Sequence, residues 1–201
     1  MIKVALNDVG QAFVDNAFLF CHLSTTLVAG ETYALTGPSG SGKSSLLSII
    51  ANREKPTVGE VEWTGIETQA WVFQNPHGVS RRTALDHVVQ PFLARGFGRN
   101  SAEELARAEL QRFGLHAAGD RLFQELSGGE AQRLMLARGM ATAPDLFLVD
   151  EPTAQLDLRT ANAVNTSLIN LAGRNTIVVI ATHDPATRDS CSKEIRLGDY
   201  T

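Results

Sequence analysis

The sequence predicts an α/β fold: a largely parallel sheet covered by helices on both faces. Three observations carry that prediction. Short apolar, β-rich runs alternate with amphipathic helical stretches along the chain. A glycine-rich turn at 37–42 joins one buried strand to a helix. A second buried run, Leu146–Val149, delivers two carboxylates at its C-terminal end, the edge at which ligand sites of open α/β sheets lie.

Taken in order, residues 32–36 (Thr-Tyr-Ala-Leu-Thr) read as a buried strand ending at Gly37, and a helix starts near Lys43 with Leu46, Leu47, Ile49 and Ile50. Residues 58–63 and 68–73 are rich in Val and Trp and are separated by Gly65, so a strand pair is expected there. Ser101, with Glu104 three residues on, has the capping-box pattern of a helix start. Leu105, Ala106, Leu110 and Phe113 then fall on one face. A second such box, Ser127 with Glu130, opens a helix through Leu134, Met135, Ala137 and Met140 until Pro144. Ala161, Val164, Leu168 and Leu171 keep the spacing of an amphipathic helix that Gly173 ends. Thr176–Thr182 holds four consecutive β-branched residues and reads as another buried strand. The stretch from about 80 to 142 lacks strong strand signals and reads as a helical insertion.

Composition excludes several classes. A chain of 201 residues fills one generous domain or two small subdomains and buries a core without staples. With 43% apolar and 20% charged residues it is not globally disordered. A net charge of −4 is a poor match to a nucleic-acid backbone, whereas a phosphate site needs only local geometry. No apolar run approaches 18 residues, so no membrane span is expected. The first residues carry an early acid and no long apolar block, which argues against a signal peptide. Cys21 and Cys191 are too few and too far apart for a disulfide framework or a metal site, and read as two reduced thiols.

Gly37-Pro38-Ser39-Gly40-Ser41-Gly42-Lys43-Ser44 matches the phosphate-binding pattern G-x-x-x-x-G-K-[ST] between a strand and a helix. With Ser45 it forms the candidate cofactor site. Its glycines let backbone N–H groups turn toward phosphates, and the helix N-terminus adds partial positive charge. Lys43 is expected to reach the β- and γ-phosphates and the Ser44 hydroxyl to hold Mg²⁺. Asp150 is expected to support that ion, and Glu151, one residue further, to polarise an attacking water as general base. Read alone, this pair leaves open a strand running into a solvated acidic turn, a reading the phosphate loop beside it disfavours. Leu126-Ser-Gly-Gly-Glu-Ala-Gln-Arg133 places a capped, glycine-bare helix start that suits an anion. As physics alone it is equally an ordinary cap.

The octapeptide settles the matter, because it is similar to the signature motif of the ATP-binding subunits of ABC transporters, and the chain resembles that family from about Ile2 to Leu197. Gln74, in Val-Phe-Gln-Asn-Pro, resembles its Q-loop. Ala154-Gln-Leu-Asp157 resembles its D-loop, and His183, in Ala-Thr-His-Asp-Pro, its switch histidine. Phe13 lies where the family stacks an aromatic on adenine, and from its residues alone it is as well a core aromatic beside Phe18 and Phe20. The resemblance implies a P-loop NTPase (RecA-like) core with a small antiparallel β subdomain and an inserted helical subdomain. Residues 1–79 and 143–201 would be the core and 80–142 the helical insert.

It further implies an Mg-dependent ATPase whose subunits pack head to tail, as a homodimer or heterodimer, with two ATP molecules between them. Ser127, Gly128 and Gly129 of one subunit would complete the site of the other, and Glu130 and Asp157 would be among the nucleotide-binding residues. Lys43, Gln74, Glu151 and His183 would be catalytic, with Ser44, Gln74 and Asp150 at the metal. The partner would be a separate transmembrane permease on whose cytoplasmic face the ATPase sits, with no nucleic acid bound. The stretch Ala84–Gly96 looks most like the lipoprotein-release and macrolide-export branch. The same residues serve a second reading, an ATP-driven clamp that regulates a membrane complex, and a third, a soluble ABC ATPase, which lacks support because no coiled-coil insertion, zinc module or tandem cassette is present. Two departures stand out. The D-loop reads Ala-Gln-Leu-Asp where the family often has Ser-Ala-Leu-Asp. Gln74 follows Lys43 by only 31 residues, so the β subdomain is expected to be trimmed. With 18 residues after His183, no C-terminal regulatory domain is expected.

Overall fold

Two sheets organise the chain in the computed structural model, which describes residues 1–12, 17–154, 156–173 and 175–201. In chain order its strands and α-helices are β1 (Lys3–Ala12), β2 (Phe18–Val28), β3 (Thr32–Thr36), α1 (Lys43–Ile50), β4 (Val58–Thr64), β5 (Gln69–Val72), α2 (Ala84–Ala94), α3 (Arg99–Arg112), α4 (Gly128–Ala141), β6 (Leu146–Asp150), α5 (Leu158–Ala172), β7 (Ile177–Ala181), α6 (Pro185–Ser190) and β8 (Lys193–Arg196). The first sheet is antiparallel, in the order β2-β1-β4. The second has five strands in the order β5-β6-β7-β3-β8, and every neighbouring pair is parallel. This is the α/β class the sequence predicts, with the small antiparallel sheet set beside the parallel one.

The parallel sheet is apolar on both faces, which is why β6 and β7 read as unbroken apolar runs. Their side chains alternate between two cores. Leu146, Leu148, Ile177 and Val179 join Leu46, Leu47 and Ile50 of α1 and Leu6 and Phe20 of the antiparallel sheet. Phe147, Val149, Val178 and Ile180 join Val88 of α2, Leu110 of α3, Leu134 of α4 and Leu168 of α5. Burial of each such side chain is worth about 1.5–3 kcal/mol, so a register slip by one residue is strongly disfavoured.

The strand pair expected from 58–63 and 68–73 does not form. β4 pairs with β1, with Trp63 opposite Val4, whereas β5 pairs with β6, with Trp71 beside Leu148. The connection explains the separation. The Asp145 carboxylate, at the entry to β6, accepts the backbone N–H groups of Glu67 and Thr68 at 2.9 and 2.8 Å. That pins the start of β5 beside β6. The Trp63 indole N–H donates to the Ile50 carbonyl at 2.8 Å and holds β4 against α1.

Ser101 also does not open a helix. α3 begins at Arg99 with Gly98 as its N-cap, and Ser101 lies inside it. The Arg99 guanidinium spans Glu103 at 2.5 Å and Asp86 at 3.6 Å, favouring a start one turn earlier. Ala102, Ala106 and Leu110 form the buried face of α3, followed by Phe113, and Leu105 is exposed. In α2 the buried His87 accepts the Val79 N–H on Nε2 at 2.9 Å and sets Nδ1 2.7 Å from the Thr83 carbonyl. Those contacts fix the Nδ1–H tautomer, and burial pushes the His87 pKa down.

Candidate nucleotide site

The loop after β3 is shaped by its glycines. Gly42 caps α1 with φ +94°, and a Cβ there would lie 3.0 Å from the Phe20 ring on β2. The loop is thereby seated on the antiparallel sheet. No side chain caps α1, so the N–H groups of its first turn remain available to an anion. The Lys43 ammonium folds back over the loop and donates to the Gly37 and Pro38 carbonyls at 2.8 and 3.1 Å.

The end of β6 faces that loop. The Ser44 hydroxyl donates to Asp150 Oδ2 at 3.1 Å. Burial pushes the Asp150 carboxyl above its ordinary range. The Ser44 bond opposes that shift and the neighbouring Glu151 charge adds to it. Glu151 follows in a left-handed backbone conformation, φ +49°, with its N–H donated to the Ala181 carbonyl at 2.9 Å. A non-glycine residue held there stores strain of about 1 kcal/mol or more, a pattern concentrated at functional sites. The Glu151 side chain is 9% exposed. His183 Nδ1 lies 2.8 Å from Glu151 Oε1, and the His183 backbone N–H donates to Oε2 at 3.4 Å. The His183 ring itself is 71% exposed.

These groups share one cavity of about 510 Å³, lined among others by Lys43, Ser44, Gln74, Asp150, Glu151 and His183. Leu19 lines it too, a contact the sequence did not single out. Leu19 lies between exposed Phe18 and buried Phe20, and the run Phe18-Leu19-Phe20 carries no sequence signal that marks it. Phe13 lies outside the described residues. Ser127, Gly128, Gly129, Glu130 and Asp157 do not line this cavity. Ser127 caps α4: its hydroxyl accepts the Glu130 N–H at 3.3 Å, and Glu130 Oε2 accepts the Ser127 N–H at 2.8 Å. The Ser127 N–H holds the Glu130 carboxyl below its usual range, assisted by Arg121 at 2.8 Å. Glu130 is thus committed to shaping the helix start. Asp157 likewise caps α5 through the Thr160 N–H and hydroxyl, at 3.0 and 2.7 Å.

The donors fit magnesium. Among the described residues no cluster of three His, Cys, Asp or Glu side chains offers a protein cage for a metal. Magnesium ordinarily takes one or two protein oxygens and completes its shell with phosphates and waters. The Ser44 hydroxyl and Asp150 carboxylate are such oxygens. A carboxylate that burial disfavours as an anion also gains from a cation beside it.

Comparisons with known proteins show the family of the chain. The family model described as ABC transporter matches residues 20–154. The lipoprotein-releasing system ATP-binding protein LolD of Anaeromyxobacter dehalogenans is 39% identical over 191 residues, covering 87% of this chain and 80% of that protein. The protein of the same name from Koribacter versatilis is 37% identical over 195 residues, covering 89% and 87%. Among solved structures, a dimeric ATP-binding cassette in a post-hydrolysis state bound to ADP and Pi superposes with a TM-score of 0.83 at 28% identity, covering 96% of this chain and 94% of that one. A dimeric bacterial ABC transporter cassette superposes with a TM-score of 0.84 at 27% identity and the same coverage.

Proposed function

The chain belongs to the ABC transporter family as an ATP-binding, ATP-hydrolysing subunit, and from that premise we propose how its residues divide the work. The observation that carries the reading is the union of Lys43, Asp150, Glu151 and His183 around one cavity. The residues from Gly37 to Ser45 cradle the phosphates of ATP, and Lys43 exchanges its carbonyl partners for the β- and γ-phosphate oxygens. Ser44, Asp150 and Gln74 would hold Mg²⁺, which neutralises phosphate charge when bound. Glu151 takes a proton from the attacking water. The His183 backbone N–H steadies one oxygen of Glu151, and the exposed ring has room to turn toward a γ-phosphate.

The glycine-bare start of α4 lies outside this cavity, which supports a site completed by Ser127, Gly128 and Gly129 of a second subunit. Two subunits related by a two-fold axis would then enclose two ATP molecules. ATP favours the closed pair because it touches both halves only there, and loss of the γ-phosphate releases it. Residues 80–142 would act as the arm that carries Ser127, and 1–79 with 143–201 as the core that carries the phosphates. Gln74 lines the cavity just before that arm, a position suited to linking nucleotide to arm. Similarity to lipoprotein-releasing ATPases supports a separate membrane permease as partner and lipoprotein release as the branch. None of the described helices is long and apolar enough to cross a membrane. Attachment to the inner face of the cell membrane would therefore run through that permease.

Glu151→Gln tests the base. ATP hydrolysis is expected to slow about a hundredfold or more, while ATP still binds and traps a dimer visible by size exclusion. Wild-type turnover in that variant removes Glu151 from the mechanism.

A further inference from the structure

We propose that Asn165, Thr187 and Thr153 form a buried clamp that positions Glu151 against His183 for hydrolysis. The inference rests on the reading of Glu151 as the base and adds three residues that do not line the cavity. Thr187 sits on α6 with no exposed surface. Asn165 on α5 is 4% exposed, and Thr153, two residues beyond Glu151, is 7% exposed. Polar side chains so placed are costly unless they are satisfied by one another.

The hydrogen bonds around the Thr187 hydroxyl can be satisfied in one consistent way. Its oxygen lies 2.6 Å from Asp184 Oδ2, 3.1 Å from Thr153 Oγ1, 3.1 Å from Asn165 Nδ2 and 3.2 Å from Asn165 Oδ1. A hydroxyl has one proton and two lone pairs. The shortest contact, to an ionised carboxylate, takes the proton. The lone pairs then accept from the Asn165 amide and the Thr153 hydroxyl, which leaves the Asn165 oxygen in proximity without a bond. Both Thr153 and Asn165 therefore aim their protons at Thr187.

The consequence is geometric. Asp184 follows His183 directly. Besides the Thr187 hydroxyl it accepts the Thr187 and Ala186 N–H groups at 2.9 and 3.3 Å, and its own N–H donates to Thr182 Oγ1 at 3.0 Å. Thr153 lies on the turn that carries Glu151. One hydroxyl thus ties the His183 turn to the Glu151 turn, and Asn165 anchors that hydroxyl to α5. This tie adds to the direct contacts of Glu151, its N–H to the Ala181 carbonyl and its Oε2 to the His183 N–H and Thr182 hydroxyl, in holding Oε1 2.8 Å from His183 Nδ1. A displacement well under 1 Å suffices to misalign a base, its water and a γ-phosphate.

Thr187→Val removes the hydroxyl at nearly constant volume. In the purified protein, kcat for ATP hydrolysis is expected to fall about tenfold, with KM and ATP affinity unchanged, and Thr187→Ser to restore it. Added to Glu151→Gln, Thr187→Val is expected to cause no further loss of the residual rate, because the group it positions is gone. Should Thr187→Val fail to fold, Asn165→Leu carries the test, with an expected loss in kcat of about threefold and the same split. A kcat within 1.5-fold of wild type in the folded variant overturns the clamp. So does a parallel loss of ATP affinity, or a Thr187→Val effect that persists in full on the Glu151→Gln background. Full turnover in Glu151→Gln alone overturns the base assignment and the clamp with it. A slow Glu151→Gln beside an unaffected Thr187→Val overturns the clamp only.

Discussion

Asp150 is the residue at which folding and function pull in opposite directions. Burial beside Glu151 disfavours its charge, and Ser44 and Lys43 offset only part of that. A carboxyl whose folded pKa exceeds its unfolded value holds its proton more tightly when folded. Its contribution to stability is therefore lost as pH rises from the ordinary aspartate value of 3.8 through the raised folded value. Asp150→Asn keeps an acceptor for the Ser44 hydroxyl and removes the charge. It is expected to stabilise the nucleotide-free protein at pH 7 by about 1 kcal/mol while weakening Mg·ATP binding. Thermal unfolding across pH, with nucleotide titration, checks both, and a variant less stable than wild type at pH 7 contradicts the account. The acidic pair itself was legible in the sequence, because a short apolar run ending in two acids has few other uses beside a phosphate loop. The buried polar hub was not. Asn165 falls on an amphipathic helix between Ala161 and Leu168, and nothing in that spacing separates a buried amide from a solvated one. Only the arrival of α6, with Thr187 22 residues away, identifies its partner.

At the scale of elements, α4 meets the sheet at Gly139. A Cβ there would lie 2.6 Å from Phe147 Cε2 and 2.9 Å from Cζ, and Phe147 on β6 is wholly buried. Alanine improves helix propensity by about 1 kcal/mol over glycine. Overpacking a rigid core costs about 1–3 kcal/mol, and at 2.6 Å the clash wins. Gly139→Ala is expected to lower the unfolding free energy in denaturant titrations. Phe147→Leu, which clears the space, is expected to absorb part of that loss in the double variant. Strictly additive losses would place the strain elsewhere. Elements with a local chemical reason were legible in the sequence: Ser127 and Glu130 reach each other within one turn, and the apolar runs of β6 and β7 follow from burial on both faces. Elements fixed by distant contacts were not. Val- and Trp-rich runs either side of Gly65 look like a hairpin until Asp145, almost eighty residues away, claims the connection between them. Ser101 looks like a cap because S-x-x-E recurs inside helices as well as at their starts.

For the whole molecule, the order of motifs was legible because phosphate chemistry sets short, local requirements, whereas the separation of Ser127 from Lys43 is a property of the folded chain alone. The cavity holds the phosphate loop, the acids and His183 and leaves the start of α4 outside it. If each ATP needs Lys43 of one subunit and Ser127 of the other, two damaged subunits can supply one sound site. Lys43→Ala and Ser127→Arg are each expected to abolish hydrolysis, the second while ATP still binds. In a mixed dimer one site carries both lesions and the other carries neither. An equimolar mixture pairs at random, so half the dimers are mixed and each keeps one of its two sites. Hydrolysis is expected to return to about a quarter of the wild-type rate at the same total protein. The recovered rate should also fall on dilution, because the sound site exists only in the dimer. A mixture no more active than its separate components would overturn a site shared between two subunits.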